Sequence, residues 1–137
     1  IGVSNYGKHH LEDMLNYARI MPSVNQIEIN PWLQRPSLIS ATIESGAVPM
    51  AYSPLARGHK VRDPSLVQIA NILGCTPAQV AIKWCIDSGA ITIPKSSNQD
   101  RILENFHSQN IDITPVMEQL QSMDENYVSG WDPTVEI

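Results

Sequence analysis

The chain has 137 residues, 42% of them hydrophobic, which is enough for one domain with an apolar core. Its formal net charge of −5 argues against nucleic acid or an anionic membrane surface as a main partner, so any anion site must be local. No apolar run approaches the roughly 20 residues that span a bilayer, and no signal peptide is visible.

The first run, "IGVS", reads as the inside of a strand and points to the back part of a longer protein. Leu11, Met14, Leu15 and Ala18 then follow the i, i+3, i+4, i+7 spacing of an amphipathic helix. "VNQIEI" is a second strand. A helix carrying Leu38, Ile39, Thr42 and Ile43 comes next, with Pro36 at its start and Gly46 beyond its end. "AVPMAYSPL" is a third strand, followed by a helix on Leu66, Ile69, Ala70 and Leu73 between Asp63-Pro64 and Gly74. Thr76-Pro77-Ala78-Gln79 is a capping box, in which Thr and Gln each satisfy a free backbone N–H of the other. The helix it opens is apolar almost all round, so it should lie between a sheet and other helices. Ile91 to Pro94 form a fourth strand, feeding a helix with Ile102, Leu103 and Phe106; a last helix starts at Thr114-Pro115, and "SGWDPTVEI" is a loop-like tail.

Alternating strands and helices with short connections predict a parallel α/β sheet. The first, third and fourth strands are mostly apolar, as strands buried on both faces are. Neither a GxGxxG nor a GxxxxGK[ST] run occurs. Polar residues end all four strands, at Ser4-Asn5, Gln26-Glu28, Tyr52-Ser53 and Lys95-Ser96. Strand ends that gather chemistry on one rim fit a (β/α) barrel, and four βα units plus a C-terminal helix and tail would be half of one. The stretch "IPKSSNQDRILEN" adds a local puzzle. It delivers Lys95 to a helix start and Arg101 to that helix's first turn, where the free N–H groups are already partly positive. An anion there would resolve the conflict. Cys75 and Cys85 have neither CxxC nor zinc-ligand spacing and read as free thiols of a reducing compartment, which implies a cytoplasmic location.

These runs resemble the aldo-keto reductase family. "IPKS" with the following Arg-Ile-x-Glu-Asn resembles its phosphate-binding signature, and "GVSNY", "VNQIEINP", "AYSPLARG" and "DPSLVQIANILGCTPAQVAIKW" resemble further motifs in the same order over nearly the whole chain. The resemblance implies the C-terminal half of a (β/α)8 barrel, residues 1–137 forming a partial domain. It implies a hydride passed between NADP(H) and a small-molecule carbonyl, an aldehyde or ketone. It assigns Ser4, Asn5 and Gln26 to the nicotinamide carboxamide, and Tyr52 to the nicotinamide ring. Ser53 and Leu55 go to the pyrophosphate side, and Lys95, Ser96, Asn98 and Arg101 to the adenosine 2′-phosphate. Glu104 and Asn105 go to adenine. Arg57, Lys60 and Arg62 come within reach of the pyrophosphate, although their loop is shorter than in mammalian members with a long cofactor-covering belt.

The family's tyrosine, lysine, aspartate and histidine, which lie in the other half of the barrel, have no counterpart here, so no catalytic residue is assigned. The chain alone should not reduce carbonyls and should need that missing half. Two other classes remain open: a regulatory cofactor-binding subunit, and a truncated non-catalytic interaction protein. Glu28 reads as structural, and the four histidines as loop or helix-end residues.

Overall fold

A computed structural model describes residues 1–136. Four strands, β1 (Val3–Ser4), β2 (Val24–Glu28), β3 (Val48–Tyr52) and β4 (Ile91–Thr92), form one sheet in chain order, each pair parallel. Helices α1 (Lys8–Met14), α2 (Pro36–Glu44), α3 (Pro64–Leu73), α4 (Pro77–Asp87), α5 (Gln99–His107) and α6 (Met117–Gln121) accompany them. This is the α/β arrangement of half an eight-stranded (β/α) barrel, as expected.

The helix ends lie where local chemistry puts them. The Asp63 carboxylate accepts from the amides of Ser65 and Leu66 at the start of α3, and Gly74 ends that helix with φ of 66°. Thr76 accepts from the Gln79 amide at 3.2 Å while Gln79 accepts from the Thr76 amide at 3.1 Å, so the capping box is present. α1 is shorter than its apolar spacing predicts. It ends at Met14, and Leu15 is exposed.

The register separates the two faces of the sheet. Asn25, Ile27, Pro49 and Ala51 alternate onto the side covered by helices, where they are buried. The core continues through Ile29, Trp32, Leu66, Val80, Trp84 and Leu120. The other face carries a row made by Ser4, Gln26, Met50 and Ile91 in register. Among the described residues nothing covers that face: Val48, Ile91 and Ile93 remain about 40–45% exposed. The expectation of strands buried on both faces is corrected here. A barrel fills its interior with side chains from strands all round the ring, and four strands supply one side of it. α5 differs from the other helices. It buries no side chain, and Ile102, Leu103 and Phe106 are at least half exposed.

Among the described residues no single helix is long and apolar enough to cross a membrane, and no group of His, Cys, Asp and Glu is arranged to hold a metal ion.

Candidate functional site on the strand rim

Parallel strands in register deliver their last residues to one edge. Ser4 stands beside Gln26, and Tyr52 lies two residues beyond Gln26's partner Met50. Hydrogen bonds lock these ends together. The Ser4 hydroxyl and the Asn5 amide both donate to the Gln26 carbonyl, at 3.2 and 2.8 Å. The Tyr52 hydroxyl donates to Asn5 Oδ1 at 3.0 Å. Asn5 has φ of 61°, a left-handed backbone that Asn tolerates better than most residues. Among the described residues the Gln26 side-chain amide meets only the Met50 sulfur, at 3.6 Å, which leaves most of its hydrogen-bonding capacity free. Burial pushes the Tyr52 phenol up, and the charges of Glu28 and Asp132 add to this, against a smaller downward pull from Arg35 and Arg57. Tyr52 is therefore a neutral aromatic at ordinary pH.

Ser53 follows with φ of 48°, its carbonyl accepting from the Ala56 amide at 2.8 Å. Leu55 is partly buried and packs its side chain against the core. On the neighbouring strand end, Asn98 caps α5 by accepting from the Arg101 amide at 3.0 Å, and Ser96 Oγ accepts from the Asn98 amide at 3.1 Å. Lys95 and Arg101 are exposed, and neither forms an ion pair among the described residues. Asp100 is the acidic residue in the first turn of α5. Glu104 is already engaged: its carboxylate accepts from the Thr76 hydroxyl at 2.6 Å. Asn105 lines a cleft of about 340 Å³ between α4 and α5 with Ile82, Thr92, Ile102 and Phe106. The rim thus brings Ser4, Asn5, Gln26, Tyr52 and Ser53 together, with Lys95, Ser96, Asn98 and Arg101 on the adjoining strand end. Glu104 is bonded to Thr76 across the α4–α5 contact, and Asn105 lines the cleft between these helices.

Two supports were not legible as site residues. Buried Asn25 accepts from the Tyr6 amide at 3.2 Å and donates to the Tyr6 carbonyl at 2.9 Å and to Thr42 Oγ1 at 3.2 Å, which fixes the turn after Asn5. Its signal was an amide at a strand position of the same parity as Ile27. Arg35 fastens the tail: its Nε donates to the Glu28 carbonyl at 3.1 Å, Nη1 donates to Thr134 at 2.8 Å, and Nη2 lies 2.9 Å from Asp132. Burial alone would raise the Asp132 carboxyl, but hydrogen bonds from Arg35 and Thr134 hold it below the usual range. Glu28 is structural, as expected, its buried carboxylate accepting from the Ser129 amide at 3.3 Å. His10 is a cap, its Nδ1 accepting from the Gly7 amide at 2.9 Å, and His9 bonds the Glu136 carbonyl at 2.7 Å.

Residues 1–127 match the model of the Aldo/keto reductase family, and the chain belongs to that family. It is 38% identical over 137 residues to an uncharacterized oxidoreductase of Schizosaccharomyces pombe, covering 98% of this chain and 50% of that protein. It is 40% identical over 129 residues to aldose reductase B of Dictyostelium discoideum, covering 92% of this chain and 42% of that protein. Among solved structures it resembles a Bombyx mori aldo-keto reductase in complex with NADP, with a TM-score of 0.83 and 30% identity over 96% of this chain and 46% of that one. The chain spans about half the length of the curated relatives it matches.

Proposed function

We propose that residues 1–137 form the second half of the barrel of an NADP(H)-dependent aldo-keto reductase that reduces aldehyde or ketone carbonyls. The observation that carries this is the pair of cations, Lys95 beyond β4 and Arg101 in the first turn of α5, that form no ion pair among the described residues, beside a hydrogen-bonded set of amides and hydroxyls at the other strand ends. The set Ser4, Asn5 and Gln26 offers donors and acceptors to a carboxamide. Tyr52, held by Asn5, offers a flat neutral face to a nicotinamide ring. Lys95 and Arg101 at the start of α5 suit a phosphate, which the free N–H groups of that helix also favour. A nicotinamide dinucleotide bearing a 2′-phosphate meets both requirements. The Bombyx mori neighbour solved with NADP supports the same reading.

The chain's own residues bind and orient. They do not supply the proton for the carbonyl: Tyr52, the rim tyrosine, is held by Asn5 and not by a lysine. The other half of the barrel would carry the acid–base group and would also cover the open sheet face. The fully buried thiol of Cys85, pushed up by burial, fits a cytoplasmic protein with reduced cysteines.

The test is the affinity of the full-length protein for NADPH and NADH with and without Arg101→Ala. We expect NADPH to bind tighter, and the substitution to remove about 10-fold or more of that preference, the worth of a charge-assisted hydrogen bond. Equal affinities that ignore the substitution would overturn the cofactor assignment. Robust carbonyl reduction by the 137-residue chain alone would overturn the division of labour.

A further inference from the structure

Glu28 fastens the tail, but a neutral acceptor could do that equally well, and its charge has no counterpart. The residue is 2% exposed. Its carboxylate accepts from the Ser129 amide at 3.3 Å, and Asn30 Nδ2 reaches Oε1 more weakly, at 3.5 Å. No cation pairs with it among the described residues. Arg35 gives Nε to the Glu28 backbone carbonyl and turns the rest of its guanidinium to Thr134 and Asp132. Burying a carboxylate in this way is costly, because hydrogen bonds return only part of the lost solvation.

That carboxylate stands beside the rim. Residues two apart on a strand share a face, and register partners on neighbouring strands lie side by side. Glu28 is therefore on the face of Gln26 and is the partner of Tyr52. The turn beyond β2 fixes the pairing. Asn30 Nδ2 also lies 3.4 Å from the Ser53 carbonyl, so one side chain bridges the Glu28 carboxylate and the residue after Tyr52. After burial, Glu28 is the strongest influence on the Tyr52 phenol, which it pushes up. The other charges acting there are Arg35, Asp132 and Arg57. Arg35 and Asp132 neutralise each other at 2.9 Å. Arg57 forms no ion pair among the described residues and rests against Gly130, where a Cβ would lie 2.9 Å from its Nη2. Lys60 is paired with Glu125 at 2.6 Å and is not among the charges acting on Tyr52.

We infer that Glu28 makes the rim hold the oxidised, cationic form of a nicotinamide ring more tightly than the reduced, neutral form. This rests on the cofactor reading above. The two forms differ by one positive charge on the ring and little in outline, so hydrogen bonds to the carboxamide from Ser4, Asn5 and Gln26 serve both alike. A carboxylate distinguishes them. A ring held by Gln26 and lying on Tyr52 has Glu28 next to both of its supports, and attraction between charges is weakly screened where water is excluded. The cation that Glu28 lacks within the chain is then the ligand itself, and the cost of burying the carboxylate is offset in the oxidised complex only.

The experiment uses the full-length protein and three probes: NADP+, NADPH, and adenosine 2′,5′-bisphosphate, which lacks the nicotinamide. Glu28→Gln keeps an acceptor for the Ser129 amide and removes the charge. It should weaken NADP+ binding about 3- to 10-fold relative to NADPH and leave the bisphosphate affinity unchanged. Glu28→Met removes the charge without needing a buried hydrogen bond and should shift the ratio in the same direction, which keeps the test open if the Gln variant folds poorly. Glu28→Asp, which retains the charge, should keep most of the parent ratio. An NADP+ to NADPH ratio unchanged in both neutral variants overturns this inference alone, as does a shift in Glu28→Asp as large as in Glu28→Gln. Equal weakening of all three probes overturns it too, because Glu28 would then act only through the fold. A parent protein that binds neither dinucleotide overturns the cofactor reading and this inference with it.

Discussion

α4 and α5 are written in the same local code but live in different surroundings. Each has an N-cap whose side chain accepts from the N3 amide, Thr76 for α4 and Asn98 for α5, and each carries a run of apolar residues. α4 buries Val80, Ala81, Ile82, Trp84 and Cys85, whereas α5 buries none of its side chains. The contrast separates what makes a helix from what makes a core. Caps and spacing act within a turn or two, but burial needs a second surface. α4 has the sheet on one side and α3 on the other; α5 touches α4 and leaves Ile102, Leu103 and Phe106 exposed.

The largest expected effect breaks the contrast at its core. Trp84→Ala in α4 should cost about 3–5 kcal/mol, the usual penalty for emptying a buried aromatic site. Phe106→Ala in α5, 65% exposed in this chain, should cost less than about 1 kcal/mol here. Urea unfolding of the 137-residue chain and of the full-length protein, side by side, reads both. A Phe106→Ala cost that rises to several kcal/mol only in the longer protein would identify α5 as the seam with the other half. Equal costs in the two proteins would show that nothing packs there.

The tail is a third case, held by polar groups where α4 is held by apolar area. The Arg35–Asp132 pair is only partly shielded, with side chains 11% and 22% exposed, so Asp132→Asn should cost about 1–2 kcal/mol once solvent screening is allowed for. The pH dependence has a definite sign. A carboxyl whose folded pKa is depressed contributes stability that is fully present above its unfolded value, about 3.9, and is lost as pH falls through the lower folded value. The parent should therefore lose stability below about pH 4 more steeply than the Asn variant. Identical acid limbs in the two unfolding curves would remove Asp132 from the latch.

The same division explains how much could be read in advance. The ends of α3 and α4 were legible because Asp63-Pro64, Gly74 and Thr76-Pro77-Gln79 act on backbone groups three residues away. The parallel order and the shared rim were legible because strand–helix alternation with short connections leaves few topologies. The covering of each sheet face was not, because an apolar strand reads alike whether its second face meets a core or nothing. Asn25 was missed because a buried amide is recognisable only when its partners, Tyr6 and Thr42, are in view. The different fates of Arg57 and Lys60 lay in contacts with Gly130 and Glu125, more than sixty residues away. Glu104, matched to adenine by resemblance, is bonded to Thr76 across the α4–α5 contact.

That contact supports the finest test of the contrast. If a cap were only a local device, Thr76→Ala and Asn98→Ala would each cost about 1 kcal/mol. The structure gives them unequal work. Asn98 satisfies one amide at the start of an exposed helix. The Thr76 hydroxyl accepts from the Gln79 amide and at the same time donates to the Glu104 carboxylate, while the Gln79 side chain donates to the Glu104 backbone carbonyl at 3.1 Å. Removing it uncaps α4 and also removes one of the hydrogen bonds that tie α4 to α5. Thr76→Ala should therefore exceed Asn98→Ala by about 0.5–1 kcal/mol, the net worth of one more hydrogen bond. Glu104→Gln, which keeps an acceptor but removes the charge, should cost less than Glu104→Ala while Thr76 is intact. A double-mutant cycle between Thr76→Ala and Glu104→Ala measures the link directly. Additive costs would mean that the Thr76–Glu104 bond carries no coupling, and that α4 holds α5 only through the Gln79 bond and packing.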